Sequence, residues 1–291
     1  MFHGCLVAIV TPMLEEGGVD YDALEKLIKW QLESQTNGLV VLGTTGESPT
    51  IEPDERAKII TFAVEQVNGR VPVIVGSGAN STAHSIVMTH QAMELGADAA
   101  LLVTPYYNRP TQNGLFRHFN AISEAVPIPQ ILYNVPSRTA CDLLPETVEQ
   151  LAKFSNIVGI KEATGSMERL QQLFALNLDI DLLSGVDESA MEFMLRGGKG
   201  VISVAANVVP KEMRHLSEVS MKGDRESSER LNNQLKDLYK QLSVETNPIP
   251  TKWVLSQMGK IKSGIRLPLT PLAEKYHDQV RNAAQLANVQ I

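Results

Sequence analysis

Cysteine is nearly absent from this chain, which holds only two thiols, Cys5 and Cys141, among its 291 residues. The two stand in unrelated contexts, so no disulfide framework is expected. Free thiols are typical of a reducing compartment, and we therefore expect the protein in the cytoplasm. A basic excess is also lacking, because the formal net charge is -7. That balance argues against a general nucleic-acid binder, which usually carries more basic than acidic residues.

Long apolar runs and metal-ligand spacings are missing as well. No apolar stretch approaches the roughly 20 residues that cross a bilayer. Residues 1–5 show neither the basic region nor the apolar region of a signal peptide. The six histidines do not stand at metal-ligand spacing with cysteines or carboxylates. We therefore predict no membrane segment and no metal site.

Short apolar runs alternate along the chain with longer amphipathic segments. A continuous apolar run of about five residues is typical of a strand covered on both faces, as in a parallel sheet. Eight such runs occur, at residues 6–10, 38–42, 73–75, 99–103, 130–133, 157–160, 181–183 and 200–204. Helical patterns follow them at residues 20–35, 53–67, 81–95, 112–125, 145–153, 166–175, 188–196 and 210–220.

Eight strands that are each followed by a helix predict an α/β fold, the TIM (β/α)8 barrel. We assign the barrel to residues 1–222. Residues 223–291 show helical patterns and no strand run, so we assign them to a C-terminal helical appendage packed on the barrel. A doubly wound sheet is the alternative architecture. It normally carries a G-x-G-x-x-G turn after the first strand, and residues 11–13 (TPM) form no such turn.

Lys161 closes the sixth apolar run and is followed directly by Glu162. The active site of a TIM barrel lies at the C-terminal ends of its strands. A lysine there is poorly solvated, which disfavours the ammonium and leaves a neutral amine that can attack a carbonyl. Taken alone, Lys161 is better interpreted as a lysine whose side chain reaches back to water. The polar residues at other strand ends change that balance.

Other strand ends carry groups that fit the same chemistry. After the second strand, the GTTGES turn offers the Thr44 and Thr45 hydroxyls and backbone N–H groups to a carboxylate. Tyr133 ends the fifth strand, where a phenol can relay protons, and Arg138 follows as a clamp for a second carboxylate. Gly185, after the seventh strand, lets the backbone approach a ligand closely. The plainer alternatives are a simple glycine-rich turn and, for Arg138, a surface ion pair.

Together these groups suit a 2-oxo acid that is held as an imine. Four segments resemble the 4-hydroxy-tetrahydrodipicolinate synthase (dihydrodipicolinate synthase) family: residues 43–48 (GTTGES), 104–108 (TPYYN), 133–139 (YNVPSRT) and 159–163 (GIKEA). The similarity runs over essentially the whole chain and includes residues 247–250 (NPIP). The turn and the lysine are shared with related pyruvate-dependent aldolases such as N-acetylneuraminate lyase. Arg138 in its PSRT context is the more discriminating element.

The resemblance implies a lyase of lysine biosynthesis that condenses pyruvate with L-aspartate 4-semialdehyde in the diaminopimelate route. By resemblance, Lys161 forms the imine with pyruvate and Tyr133 donates and accepts protons. Thr44 would link Tyr133 to Tyr107, which would reach in from a neighbouring subunit. Arg138 would bind the carboxylate of the aldehyde substrate.

The resemblance also bears on the remaining ligands and on assembly. Thr45 and the backbone at Ile202 match the pyruvate-binding positions, and Gly185 is expected beside them. No organic cofactor or metal is implied, since the lysine itself activates the substrate. Family members are commonly homotetramers built as dimers of dimers. A relay completed across a subunit boundary would make the tight dimer the minimal active unit.

Many family members are inhibited by lysine at the dimer interface, and this sequence departs from the sensitive pattern. Ser48, Asn80 and Tyr106 match that site. The carboxylate that would pair with the amine of lysine is replaced by His84, and the usual histidine or glutamate by Arg56. Arg56 repels an incoming ammonium and His84 supplies no negative charge. We therefore expect weak or absent inhibition by lysine.

Two other functions remain open at the level of sequence. A related pyruvate-dependent aldolase acting on a sugar acid would keep Lys161 and Tyr133 but would not need Arg138. A non-catalytic barrel that binds a small 2-oxo acid, or that works as a sensor, would form no covalent adduct. The synthase is the predicted function.

Overall fold

A computed structural model describes residues 1–291 and contains a closed barrel of eight parallel strands. The strands follow one another around the barrel in chain order, and the eighth pairs with the first. This closure confirms the predicted (β/α)8 barrel and excludes the doubly wound sheet. The strands are β1 Gly4–Ala8, β2 Gly38–Val41, β3 Val73–Gly76, β4 Ala99–Val103, β5 Gln130–Asn134, β6 Ile157–Glu162, β7 Asp181–Ser184 and β8 Gly200–Ser203.

Helices cover the outside of the barrel and form the C-terminal region. They are α1 Tyr21–Glu33, α2 Pro53–Val67, α3 Thr82–Glu94, α4 Gln112–Ala125, α5 Pro136–Thr139, α6 Pro145–Leu151, α7 Met167–Ala175, α8 Asp187–Leu195, α9 Pro210–Met221, α10 Arg225–Gln241, α11 Ile249–Gln257 and α12 His277–Leu286. Short 3₁₀ turns lie at Ser48–Thr50, Ala205–Asn207 and Glu274–Tyr276. None of these helices combines the length and the apolar character needed to cross a membrane.

The strands are apolar because both of their faces are covered. Every residue of β1 and of β2 is buried. Side chains that point inward, such as Leu6, Ile74 and Leu101, fill the barrel interior. Those that point outward pack against the surrounding helices in two further clusters. Continuous apolar runs are typical of parallel strands for this reason.

Helix starts follow the capping residues in the sequence. The Asp20 carboxylate accepts a hydrogen bond from Ala23 N at 3.0 Å, and the Thr111 hydroxyl accepts one from Gly114 N at 3.2 Å. Such caps satisfy backbone N–H groups that have no partner within the helix. They explain why α1 and α4 begin where they do.

The main differences from the predicted boundaries lie in β1 and β6. The apolar run at residues 6–10 predicted a strand there, but β1 spans Gly4–Ala8 because Gly4 and Cys5 pair with β8. Ile9 and Val10 are buried beyond the strand end. The run at 157–160 placed Lys161 at the end of the strand, but β6 continues through Glu162.

The C-terminal helices share the core of the barrel. Helix α10 packs against α8, α9 and α12. Leu235, Leu238 and Val254 belong to the same buried cluster as outward-facing residues of β1 and β2. The region predicted to be helical, residues 223–291, contains α10, α11, a 3₁₀ turn and α12. The boundary between residues 222 and 223 stays a prediction.

Candidate active site

A cavity of about 240 Å³ opens at the C-terminal ends of the barrel strands. Six of the residues singled out from the sequence line it: Thr44, Thr45, Tyr133, Arg138, Lys161 and Gly185. A larger groove of about 580 Å³ runs along α1 and residues 258–262, away from all strand ends. Chemistry sits at strand ends in this fold, so the smaller cavity is the candidate active site.

Lys161 projects into this cavity from β6. The residue is 5% exposed, so its side chain does not extend into bulk water. Its Nζ lies 4.1 Å from the centroid of the Tyr133 ring. This contact arises because Tyr133 and Lys161 are register partners on β5 and β6. The ring therefore packs against the end of the lysine side chain and limits its movement within the cavity.

Gly185 makes room for the lysine side chain. A Cβ atom at this position would lie 2.7 Å from Ala163 Cβ and 2.9 Å from Lys161 Cε. Both distances are shorter than van der Waals contact. A larger residue after β7 would overlap Ala163 and the stem of Lys161, so the glycine leaves room for both.

A buried polar network supports the ends of β5 and β6. Asn134 Nδ2 donates to Asp142 Oδ1 at 2.8 Å and to Glu162 Oε2 at 3.1 Å. Arg169 forms two hydrogen bonds with the Asp142 carboxylate, at 2.9 and 2.6 Å. These bonds to Arg169 hold the pKa of Asp142 below its usual range, whereas burial raises the pKa of Glu162. The network fixes the residues that directly follow Tyr133 and Lys161.

Sequence reasoning missed this network. Asn134 directly follows Tyr133 in the sequence, and Glu162 directly follows Lys161. This adjacency was the only feature of the sequence that could have indicated the network. Arg169 and Asp142 lie in a helix and a loop whose pairing depends on the fold.

Asn247 links two proposed substrate-binding residues. Its Nδ2 donates to Thr45 Oγ1 at 2.9 Å, and its backbone oxygen accepts from Arg138 Nη2 at 3.4 Å. It also lines the cavity. Asn247 precedes α11, so the C-terminal region contributes directly to the site. The NPIP segment was noticed in the sequence only as part of the resemblance.

Asp187 is a further cavity residue that the sequence did not reveal as a site residue. Its Oδ2 accepts hydrogen bonds from Val204 N at 3.0 Å and Ala205 N at 2.8 Å, which anchors the backbone after β8. Burial raises the pKa of this carboxyl. The pKa of the nearby Cys5 thiol is raised, mainly by burial and to a smaller extent by the negative charge of Asp187. Cys5 is consequently an unreactive core residue.

Other predicted residues are not brought to the cavity. Tyr107 is 89% exposed and lies outside the cavity lining. No hydrogen bond joins Thr44 to Tyr133 within the chain, so the hydroxyl relay stays a prediction. Ile202 is fully buried in β8, inside the barrel. Its backbone role in binding pyruvate is also untested.

Arg56, one of the residues of the predicted lysine site, forms hydrogen bonds within the chain. Its Nη1 donates to Ser48 Oγ at 3.1 Å and its Nη2 donates to the Gly76 oxygen at 2.6 Å. Burial lowers the pKa of Arg56 to about 10. His84 is exposed, and the backbone oxygen of Asn80 accepts from Asn108.

Tyr106, the fifth residue of the predicted lysine site, is 38% exposed. The structure thus joins Arg56 to Ser48 by a hydrogen bond and leaves His84 and Tyr106 at the surface.

A closed barrel with a buried lysine at its C-terminal mouth, packed against a tyrosine ring, is the arrangement expected of an enzyme that forms a Schiff base with its substrate. Comparisons with known proteins identify the family within this class of enzymes. The model of the dihydrodipicolinate synthetase family matches residues 1–287, and the chain belongs to this family. The 4-hydroxy-tetrahydrodipicolinate synthase of Coxiella burnetii (strain Dugway 5J108-111) is 63% identical over 289 residues, which are 99% of either chain.

Solved structures give the same result. The chloride-inhibited dihydrodipicolinate synthase from Acinetobacter baumannii, complexed with pyruvate, has a TM-score of 0.98 and 50% identity over 100% of both chains. A monomeric dihydrodipicolinate synthase variant has a TM-score of 0.97 and 43% identity, covering 99% of this chain and 98% of its own. These findings confirm the family resemblance deduced from the sequence.

Proposed function

We propose that this chain catalyses the 4-hydroxy-tetrahydrodipicolinate synthase reaction, with pyruvate bound as a Schiff base on Lys161. The observation that carries the proposal is the buried Lys161 amine, 4.1 Å from the Tyr133 ring centroid in a cavity that Arg138 also lines. Identity of 63% over the full chain with a synthase of that name supports the same reaction. The product belongs to the diaminopimelate route to lysine.

The first half of the reaction uses Lys161, Thr45 and Tyr133. The amine of Lys161, in its deprotonated form, attacks C2 of pyruvate, and loss of water gives the imine. Thr45, 2% exposed and held by Asn247, presents its hydroxyl to the pyruvate carboxylate. Tyr133 donates its phenolic proton to the hydroxyl group that leaves as water, and the resulting phenolate accepts a proton from the pyruvate methyl group, which yields the enamine. The imine itself withdraws the electrons, so this route requires neither a metal nor an organic cofactor.

The second half of the reaction uses Arg138. Its guanidinium binds the carboxylate of L-aspartate 4-semialdehyde and places the aldehyde carbon against the enamine. The enamine forms the new carbon–carbon bond, and a proton moves to the former aldehyde oxygen. The amine of the second substrate then attacks the imine carbon, expels the amine of Lys161 and closes the ring.

Arg138 separates this function from a sugar-acid aldolase. The relatives found over the full chain carry the synthase name, which disfavours the alternative. We expect Arg138→Ala to lower kcat/KM for the semialdehyde on the order of 10- to 100-fold, because a charge-assisted hydrogen bond is lost. The assay couples pyruvate and L-aspartate 4-semialdehyde to the downstream reductase. Arg138→Lys, which keeps the charge, is the matched control. Full activity of Arg138→Ala would contradict the role proposed for Arg138, whereas a wild-type protein inactive in this assay would favour the sugar-acid enzyme.

The assembly and location are also proposals. A homotetramer built as a dimer of dimers would bring Tyr107, exposed in a single chain, to the site of its neighbour. One structural relative is a monomeric variant, so the family fold does not depend on that assembly in every case. Both cysteines are free and buried, which supports a reducing, cytoplasmic location.

A further inference from the structure

We infer that the buried Glu47–Lys252 ion pair is a positioning device through which the C-terminal region fixes the pyruvate-binding turn. The inference rests on the proposed function, because it concerns how Thr44 and Thr45 are held. Neither Glu47 nor Lys252 touches the cavity, so both would act through the turn that precedes Glu47.

The pair joins two distant parts of the chain in a dry environment. Glu47 is 2% exposed and Lys252, in α11, is 4% exposed. Lys252 Nζ donates to Glu47 Oε1, and Arg266 N donates to Oε2 at 3.1 Å. Both carboxylate oxygens of Glu47 are therefore satisfied by residues of the C-terminal region.

Glu47 ends the GTTGE turn in a conformation that a side chain rarely adopts. Its φ is 56°, in the left-handed region that favours glycine. Such a residue persists only where the surrounding structure holds it. The buried partners of the carboxylate supply that restraint, directly after the two threonines that line the cavity.

Hydrogen bonds also hold the residues that precede and follow Glu47 in the chain. Before Glu47, Asn247 donates to Thr45. After it, Arg266 donates to the Thr50 oxygen at 2.6 Å and forms two hydrogen bonds with the Glu55 carboxylate, at 2.7 and 2.6 Å. The Glu47–Lys252 pair lies between these contacts. Residues 247–266 of the C-terminal region thus supply all of these contacts to the segment that carries Thr44 and Thr45.

A role in stability alone explains the pair poorly. Removing two charges from water is costly, and buried ion pairs are often replaced by apolar residues with little loss of stability. Burial lowers the pKa of Lys252, which reflects that cost. An ion pair fixes the orientation of its groups more closely than an apolar contact does, because the carboxylate must face its donors. A fixed orientation suits a turn whose hydroxyl groups are proposed to bind a substrate carboxylate.

Two variants test the inference. Lys252→Met leaves the Glu47 carboxylate buried without its cation, whereas Glu47→Gln/Lys252→Met removes both charges. We expect KM for pyruvate to rise on the order of 10-fold in the single variant, with a smaller change in kcat, because the turn is misplaced. The variants are compared by steady-state kinetics across pH.

The pH dependence distinguishes positioning from general stability. In Lys252→Met, an ionised Glu47 carboxylate would have no buried cation and would be driven from its buried position, whereas the uncharged form would not. Relative to wild type, KM for pyruvate should therefore rise with pH in the single variant, whereas the double variant should follow the pH dependence of the wild type. The other charged groups near the pair are Arg266, already paired with Glu55, and Glu52.

Lys222→Met is the matched control. Lys222 forms an exposed ion pair with Glu218 at 2.8 Å on α9, so the same chemical change should leave KM for pyruvate unaltered. If Lys252→Met does not fold, the double variant carries the test, since it contains no unpaired buried charge. It should still bind pyruvate more weakly than wild type.

Wild-type KM for pyruvate at every pH in the folded variants would overturn the inference. The proposed function is checked separately on the wild-type protein. A pyruvate adduct on wild-type Lys161, together with unchanged KM in the variants, would reject the positioning role and leave the synthase reaction standing.

Discussion

Lys161 depends on three neighbours for its position. Tyr133 lies beside it in the sheet register and offers its ring at 4.1 Å from Nζ. Gly185 leaves the space through which the lysine stem passes, and Ala163 closes that space from the other side. Burying a lysine that has no such neighbours would destabilise the fold. Here the neighbours hold the Lys161 side chain so that its amine faces the cavity.

Gly185→Ala tests the space around the lysine. The new Cβ would overlap Lys161 Cε and Ala163 Cβ, so we expect a loss of about 1–3 kcal/mol in unfolding free energy from overpacking. We also expect kcat/KM for pyruvate to fall on the order of 100-fold through misplacement of the amine. Gly18→Ala is the control, because its nearest neighbour would be Leu14 at 3.8 Å. Wild-type kinetics for Gly185→Ala would contradict this explanation of the glycine.

Arg56 leads to a prediction about regulation. Its guanidinium engages Ser48 and carries a positive charge into the predicted lysine site. We expect millimolar lysine to leave the condensation rate nearly unchanged. Arg56→His/His84→Glu should gain measurable inhibition, because it removes the cation and supplies a carboxylate. Strong inhibition of the wild-type enzyme with tight lysine binding would contradict the prediction.

The ends of β5 and β6 act together as one supported element. Arg169 reaches from α7 to Asp142, and Asn134 connects that pair to Glu162. Because Asn134 and Glu162 directly follow Tyr133 and Lys161, disturbance of this network should move the proposed catalytic pair.

Asp142→Asn tests the network through pH. Arg169 lowers the pKa of Asp142 in the folded protein, so the pair stabilises the fold above the usual aspartate pKa of about 3.9. That contribution is lost as pH falls through the lower folded value. Urea unfolding should show the variant less stable than wild type near neutral pH, with the difference shrinking in acid. A difference that grows in acid would contradict the assignment. Asp278→Asn, at an exposed ion pair, is the control.

The sequence predicted elements better than their contacts. Eight apolar runs located all eight strands, with ends that differ by at most two residues, because burial on both faces leaves a direct compositional pattern. Helix α5 was missed, since Pro136–Thr139 is a single turn too short to show periodicity. Arg138 therefore sits on a helix where a loop was expected.

At the scale of the whole molecule, the site combines parts that are far apart in sequence. Asn247 and Thr45 are 202 positions apart, and Lys252 and Glu47 are 205 apart. No local pattern encodes such pairs. The C-terminal helices were predicted to pack on the barrel, and the structure adds that they hold residues around the cavity.

Assembly can be tested by mixing two inactive variants. Lys161→Ala lacks the nucleophile, and Tyr107→Phe lacks the hydroxyl that is proposed to act in the neighbouring subunit. If Tyr107 acts across the interface, one site of each mixed dimer is intact, and random reassociation should restore roughly a quarter of the wild-type rate. Activity in Tyr107→Phe alone, or no recovery on mixing in dimers confirmed by native mass spectrometry, would contradict the proposed relay.

The central claim is that Lys161 forms an imine with pyruvate, and borohydride reduction tests it most directly. Wild-type protein treated with borohydride in the presence of pyruvate should gain the mass of one reduced pyruvate per chain, and peptide mapping should place it on Lys161. Lys161→Ala should gain none. No adduct on the wild-type protein, or an adduct on a different lysine, would contradict the account.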